Sequence, residues 1–132
     1  MNNSIDSLGD RMKMYESSTT NQKLLSQIPI ISRLDGHTFS KWTKNLNKPY
    51  DERLSKLMVD TTKHLCSKYN ANVGYTQSDE ITLIWYIDNY KTQMIFNGKL
   101  FKLQSLLSAS ASVFFNKNLA KYLPEKADTS PN

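Results

Sequence analysis

Val73-Gly74-Tyr75-Thr76-Gln77-Ser78-Asp79-Glu80-Ile81-Thr82-Leu83-Ile84-Trp85-Tyr86 is the stretch on which the reading of this chain turns. β-Branched and aromatic residues flank a short acidic step at Ser78-Asp79-Glu80. The pattern predicts two strands, near 72–77 and 80–87, joined by a tight turn. Upstream, Ile28-Pro29-Ile30-Ile31-Ser32-Arg33-Leu34 reads as a buried strand with its proline near the start, and it runs into Asp35-Gly36. Carboxylates at the ends of two neighbouring strands can hold paired divalent cations. Paired cations suit phosphoryl or nucleotidyl transfer, because they steady both the attacking and the leaving oxygen.

Taken singly, each acidic point has a plainer reading. Asp-Gly is a common turn pair, and hairpin turns often carry solvated acids. Together they say more, since the first and third elements of such a unit are often neighbours in space. Gly36 would also let backbone carbonyls approach a ligand closely.

The elements between and around these strands follow from periodicity. Leu8, Met12 and Tyr15 at helical spacing predict a short amphipathic helix from Ser7 to about Glu16, with residues 1–9 frayed and Ser17 to Asn21 a loop. Residues 36–48 read as a loop or short helix anchored by Phe39 and Trp42. Pro49-Tyr50-Asp51-Glu52 reads as a helix start, and Leu54, Leu57, Met58, Thr61 and Leu65 share one face of a helix reaching Tyr69. Asp88 to Lys91 is a loop. Gly98 breaks the chain before a second helix over about 99–120, expected to turn Leu103, Leu106, Leu107, Ser110, Val113 and Phe114 to one side. Pro124 ends it, and Glu125 to Asn132 reads as a disordered tail. The order β-α-β-β-α predicts an α+β domain with an antiparallel sheet and helices on one face, a ferredoxin-like arrangement without its last strand. The expected division is an arm or short helix over 1–27, a palm-like domain over 28–122 and a tail over 123–132.

At 132 residues, the chain has the size of one domain, and its 39% hydrophobic content is enough for one two-layer core. The net charge of +5 permits a polyanionic partner such as nucleic acid or a nucleoside triphosphate. Five lysines and no acid lie between Tyr90 and Tyr122, and three lysines and no acid between Gly36 and Lys48. Lys99 and Lys102 fall one turn apart at a predicted helix N-terminus, where free N–H groups add to the lysine charge. Lys117 and Lys121 read as a solvated face. His37, alone in a polar loop, reads first as exposed. The single cysteine, Cys66, excludes an internal disulfide and a Cys-rich zinc site, and it reads as a half-buried inert thiol in a reducing compartment. No apolar run is long enough to span a membrane, and the N-terminus lacks the order of a secretory signal. A cytoplasmic protein is therefore expected. There is no Walker-type loop, no HExxH and no nucleophile elbow around Ser78.

Several ordered motifs now carry a resemblance. Arg33-Leu34-Asp35-Gly36-His37-Thr38-Phe39 resembles the R-x-D-G-x-x-F signature of the tRNA-histidine guanylyltransferases and their relatives. Tyr75-Thr76-Gln77-Ser78-Asp79-Glu80 resembles their Y-x-Q-S-D-E signature. Lys48 to Arg53, Phe96 to Lys102 and, in a form typical of the bacterial "like" branch, Leu8 to Glu16 also resemble family segments. The resemblance implies a polymerase-type palm that adds nucleotides to the 5′ end of tRNA in the 3′→5′ direction, using GTP or ATP. It implies that Asp35 and Asp79, helped by the Gly36 carbonyl, bind two Mg²⁺ ions and that Glu80 supports them. His37, Thr38, Phe39, Lys48 and Ser78 would line the nucleotide site with Asp51 near it, and Lys99 and Lys102 would hold triphosphates. It implies homo-oligomers and a longer protein whose later half carries a His-x-x-Asn type motif, which nothing after Pro124 resembles. A truncated, inactive or partner-dependent nucleotide- or RNA-binding remnant is the alternative expectation. Another two-metal palm enzyme, such as a cyclic-nucleotide cyclase, is a third, which Gln77-Ser78-Asp79-Glu80 counts against.

Overall fold

The computed structural model describes residues 7–89 and 91–129; the expectations for residues 1–6, Tyr90 and 130–132 lie outside them. Among the described residues the α-helices and strands follow in the order α1 (Leu8–Thr20), β1 (Ile30–Asp35), α2 (Phe39–Trp42), α3 (Glu52–Tyr69), β2 (Val73–Gln77), β3 (Glu80–Trp85) and α4 (Leu100–Tyr122), with short 3-10 turns at Ile95–Gly98 and Pro124–Lys126. The three strands form one antiparallel sheet in the order β1-β3-β2. This is the predicted α+β arrangement, with β1 on an open edge among the described residues.

Strand alternation fixes which face is covered. Along β3, Ile81, Leu83 and Trp85 are buried and point to the helices. Across the sheet, Leu83 is flanked by Ser32 and Gly74, and Ile81 by Leu34 and Thr76. The opposite face carries Ile31, Val73 and Tyr75, all more than half exposed. Two helices, α3 and α4, supply the second layer. A Cβ on Gly74 would stand 2.3 Å from Cys66 Sγ and 2.9 Å from Thr62 Cγ2, so β2 lies flush on α3 only because position 74 has no side chain. Cys66 is half-buried there, and burial pushes its thiol pKa up, as expected of an inert thiol. At the far end of β3 the Trp85 indole N–H donates to the Tyr69 carbonyl at 2.9 Å.

Helix α3 matches its sequence pattern closely. Asp51 caps it by accepting from the Arg53 backbone N–H, and Asn70 ends it in the left-handed region. Leu57, Met58, Thr61 and Leu65 are buried as predicted. Fully burying leucines such as Leu57, Leu65, Leu83 and Leu107 is worth about 1.5–3 kcal/mol each relative to exposure.

Three expectations are corrected. The chain from Ser17 to Thr20 is helical, not a loop: the hydroxyls of Ser17, Ser18, Thr19 and Thr20 donate to carbonyls three or four residues back, so these residues bond within the helix. The face of α4 is rotated from the predicted one. Leu103, Leu107, Phe115 and Leu119 are buried on an i, i+4 row, while Leu106 and Val113 are exposed. Finally, the segment after α4 is ordered through Thr129. Leu123 is fully buried, and Glu125, Lys126 and Thr129 all bond to residues of α2 or α3.

Candidate nucleotide site

The hairpin turn is two residues long, with Gln77 paired to Glu80. Ser78 occupies its first position at φ 55°, the positive φ that such turns need, and its hydroxyl donates to Asp79 Oδ1 at 3.1 Å. The last residue of β1, Asp35, pairs with Glu80. One residue on, the Gly36 N–H donates to the Asp79 carbonyl at 3.1 Å. Antiparallel pairing of β1 with β3 thus ties the two acidic points together by main-chain bonds. Asp35 and Asp79 line one cavity of about 210 Å³.

Helices α3 and α4 wall that cavity. Leu34, Phe39, Met58, Ile81 and Phe115 give it an apolar floor, and Thr61, Ser112 and Asn116 add polar groups. Phe39 is the fixed point. Its ring lies 5.4 Å from Trp42 and 5.6 Å from Phe115, and those two rings lie 6.0 Å apart. A Cβ on Gly36 would stand 2.3 Å from the Phe39 ring, so the turn after β1 accepts only glycine while the ring stays in place. Thr38 begins α2 at φ 61°, and its hydroxyl lies 3.1 Å from His37 Nδ1. His37 lines the cavity mouth and is exposed.

The donor set is hard and oxygen-rich. Asp35, Gly36 and Asp79 line a cavity whose remaining walls are mostly apolar. Magnesium is commonly held by one or two carboxylates together with substrate phosphates, so these residues fit it in the company of a triphosphate. Among the described residues no group of three or more His, Cys, Asp or Glu side chains forms a metal cluster.

The structure does not gather every residue that the resemblance implied. Glu80 is turned away from the cavity and forms an ion pair with Arg33, its diagonal neighbour on the open sheet face. Lys48 is exposed and does not line the cavity. Asp51 is only 4% exposed, and it is saturated by the Arg53 backbone N–H, the Arg53 guanidinium and the Asn47 N–H. Those bonds, with the Arg53 side chain foremost, hold its pKa down at about 2 against burial, which acts the other way. Asp51 is a helix cap here and has little left to offer a ligand.

Lys99 and Lys102 do not line this cavity either. They line a separate groove with Lys13, Glu16, Ser17 and Thr20, between α1 and the start of α4, where three lysines outnumber one acid. The carboxylate cavity meets α4 at Ala111, Ser112, Phe115 and Asn116. At a rise of 1.5 Å per residue, Lys102 and Ser112 are about 15 Å apart along the helix. The lysines therefore stand at the start of α4, whereas the carboxylate cavity meets the middle of the helix. Sequence reasoning placed Met58 and Thr61 on the buried face of a helix and passed over Phe115 and Asn116.

Comparison with known proteins bears on this geometry. The sequence model of the tRNAHis guanylyltransferase family matches residues 9–132. An uncharacterized protein of Acanthamoeba polyphaga mimivirus is 43% identical over 116 residues, covering 83% of this chain and 39% of that protein. The tRNA(His) guanylyltransferase of Saccharomyces cerevisiae is 32% identical over 115 residues, covering 81% of this chain and 45% of the yeast protein. Among solved structures, a bacterial tRNA(His) guanylyltransferase-like protein in complex with GTP superposes with a TM-score of 0.80 at 36% identity, covering 88% of this chain and 54% of that one. A bacterial protein of the same description in complex with ATP superposes with a TM-score of 0.82, covering 92% of this chain and 53% of that one. The chain thus spans about half the length of these relatives.

Proposed function

Because the chain belongs to the tRNA(His) guanylyltransferase family, we propose that it carries the nucleotide-handling palm of a 3′→5′ tRNA nucleotidyltransferase. The observation that carries this reading is the joining of Asp35 and Asp79 at one cavity through the Gly36–Asp79 backbone bond. Relatives solved with GTP and with ATP support a purine nucleoside triphosphate as the ligand class for that cavity. The base or ribose would pack on the apolar floor formed by Phe39, Ile81 and Phe115, and the phosphates would lie toward Asp35 and Asp79.

In the proposed reaction an oxygen of the tRNA 5′-monophosphate attacks the α-phosphorus of ATP, and pyrophosphate leaves. The 3′-hydroxyl of an incoming nucleoside triphosphate then attacks the activated 5′-phosphorus, and AMP leaves. Asp35, Asp79 and the Gly36 carbonyl would hold Mg²⁺, which supplies charge neutralisation of the phosphoryl oxygens. The residues' own part is positioning. The paired β1–β3 ends fix the spacing of the carboxylates, Phe39 and Phe115 orient the nucleotide, and the apolar walls exclude water. The basic groove of Lys13, Lys99 and Lys102 would hold tRNA phosphates instead of the triphosphate of the nucleotide at Asp35. The open edge of β1 suits pairing with a second polypeptide, so an oligomer is part of the proposal.

The test is 5′-end extension of monophosphorylated tRNA with Mg²⁺, ATP and GTP. Two substrates are compared, intact tRNA-His and a tRNA lacking its first nucleotide. Extension by the wild type, lost by about a thousandfold or more in Asp79→Ala with its fold intact, is the expected result. Equal extension by a folded Asp79→Ala variant would sink the assignment. No extension by wild-type protein that binds GTP would instead favour a nucleotide-binding remnant or a partner-dependent subunit.

A further inference from the structure

The segment after α4 has a use that its sequence hides. Helix α2 is only four residues long, too short to be stable alone, and Thr38 at its start makes no side-chain cap bond. Something outside the helix must hold it, because Phe39 rides on it and forms the floor of the cavity beside Gly36. The chain from Leu123 to Thr129 does so. Its start is pinned by Leu123, which is fully buried. Glu125 pairs with the Arg53 guanidinium at 2.7 Å, anchoring it to the start of α3. Lys126 Nζ then donates to the Trp42 carbonyl at 2.7 Å, an acceptor at the end of α2. The same ammonium stands 5.4 Å from the centre of the Trp42 ring. From the other side the Trp42 indole N–H donates to Thr129 Oγ1 at 3.0 Å, while that hydroxyl donates to the Lys126 carbonyl at 2.8 Å.

We propose that Lys126 and Thr129 are positioning residues for the nucleotide cavity, acting through Trp42. Trp42 is gripped at its carbonyl, its ring face and its indole nitrogen. Its ring in turn backs Phe39, and Phe39 closes on Gly36. Release of Lys126 frees Trp42, lets the Phe39 ring swing, and spoils the cavity floor without touching Asp35 or Asp79. This rests on the reading of the cavity as a nucleotide site.

The experiment pairs two readouts on wild type, Lys126→Ala, Lys126→Arg and Thr129→Val. The first is acrylamide quenching of tryptophan fluorescence without ligand. Trp85 is 5% exposed, so the quenchable signal reports Trp42. The second is the Kd for GTP in the presence of Mg²⁺. In Lys126→Ala quenching rises and GTP binding weakens about tenfold, the worth of one charge-assisted hydrogen bond. Lys126→Arg, which can still donate to the carbonyl and cover the indole, stays near wild type in both. A merely structural lysine would not be rescued in this paired way. Should Lys126→Ala fail to fold, Thr129→Val removes one grip alone and is expected to move both readouts in the same direction by a smaller factor. Unchanged quenching in a folded Lys126→Ala protein overturns the grip on Trp42. Raised quenching with unchanged GTP affinity overturns its connection to the cavity. A wild type that binds no GTP overturns the nucleotide reading itself, and the ligand-free quenching tells that failure apart.

Discussion

Beside the middle of α4, side chains from five elements converge. The β1–β3 pairing sets Asp35 beside Asp79, three aromatic rings brace α2, and the walls are apolar. At the start of α4, about 15 Å away along the helix, lysines line an open groove against α1, a helix that buries no residue of its own. The first region has the features of a site that must hold atoms to within a fraction of an ångström. The second has the features of a surface that holds charge loosely. Geometry is specified by packing, which is short-ranged. A polyanion backbone can be held by charge density, which tolerates a groove with few fixed contacts.

If the contrast is sound, small changes in the packed region should have large effects. Gly36→Ala is the most severe. Its Cβ would fall 2.3 Å from a Phe39 ring carbon, so the ring or the turn must move. Overpacking of this kind costs about 1–3 kcal/mol. The variant should show a lowered urea midpoint together with GTP binding weakened by more than tenfold, because the displaced ring is the cavity floor. A variant as stable and as tight as wild type would show that Phe39 is not fixed by its glycine, and the packed region would lose its distinction.

A second test separates scaffold from site within the packed region. Asp51 was expected near the nucleotide, but it caps α3 and is saturated by Arg53 and Asn47. Its folded pKa is about 2, below its ordinary 3.8. The stabilisation is therefore fully present above pH 3.8 and is lost as pH falls through about 2. Arg53 is partly solvated, so the contribution is about 1–2 kcal/mol after screening. Asp51→Asn should flatten the stability profile between pH 4 and pH 2 and leave GTP affinity at neutral pH within about twofold of wild type. A large loss of GTP affinity in that variant would return Asp51 to the site.

What the sequence disclosed and what it concealed follow the same division between local and distant causes. Strands β1, β2 and β3 were legible because alternation and turn chemistry act over two or three residues. Asp51-Glu52 announced the start of α3 by capping. The neighbourhood of Asp35 and Asp79 was legible because adjacent strands carried both. The buried row of α4 was not, since Val113 and Phe115 are equally apolar and only the partner surface decides which turns inward. The distance from Lys102 to the carboxylates was hidden for the same reason: a motif gives membership in a set of residues, and the length of a helix decides their separation. The order of Glu125 to Thr129 was hidden because its polar composition matches that of a disordered tail. Its partners, Trp42 and Arg53, lie more than 70 residues upstream.

The gentlest perturbation is also the one that bears most directly on the contrast between the two regions. Lys102 is exposed, stands over the Phe96 ring at 5.2 Å and lines the basic groove. If the groove holds tRNA phosphates, Lys102→Ala should weaken tRNA binding about threefold to tenfold and reduce the slope of log affinity against log salt by about one. GTP affinity measured without tRNA should not change, because the triphosphate bound beside Asp35 meets α4 about 15 Å further along the helix. The reverse pattern, with GTP affinity lost and tRNA affinity kept, would mean that one nucleotide bridges both regions. Salt dependence decides between a phosphate contact and an indirect effect of the substitution. A lost phosphate contact lowers the slope, whereas a distorted groove lowers affinity at every salt concentration and leaves the slope as it was.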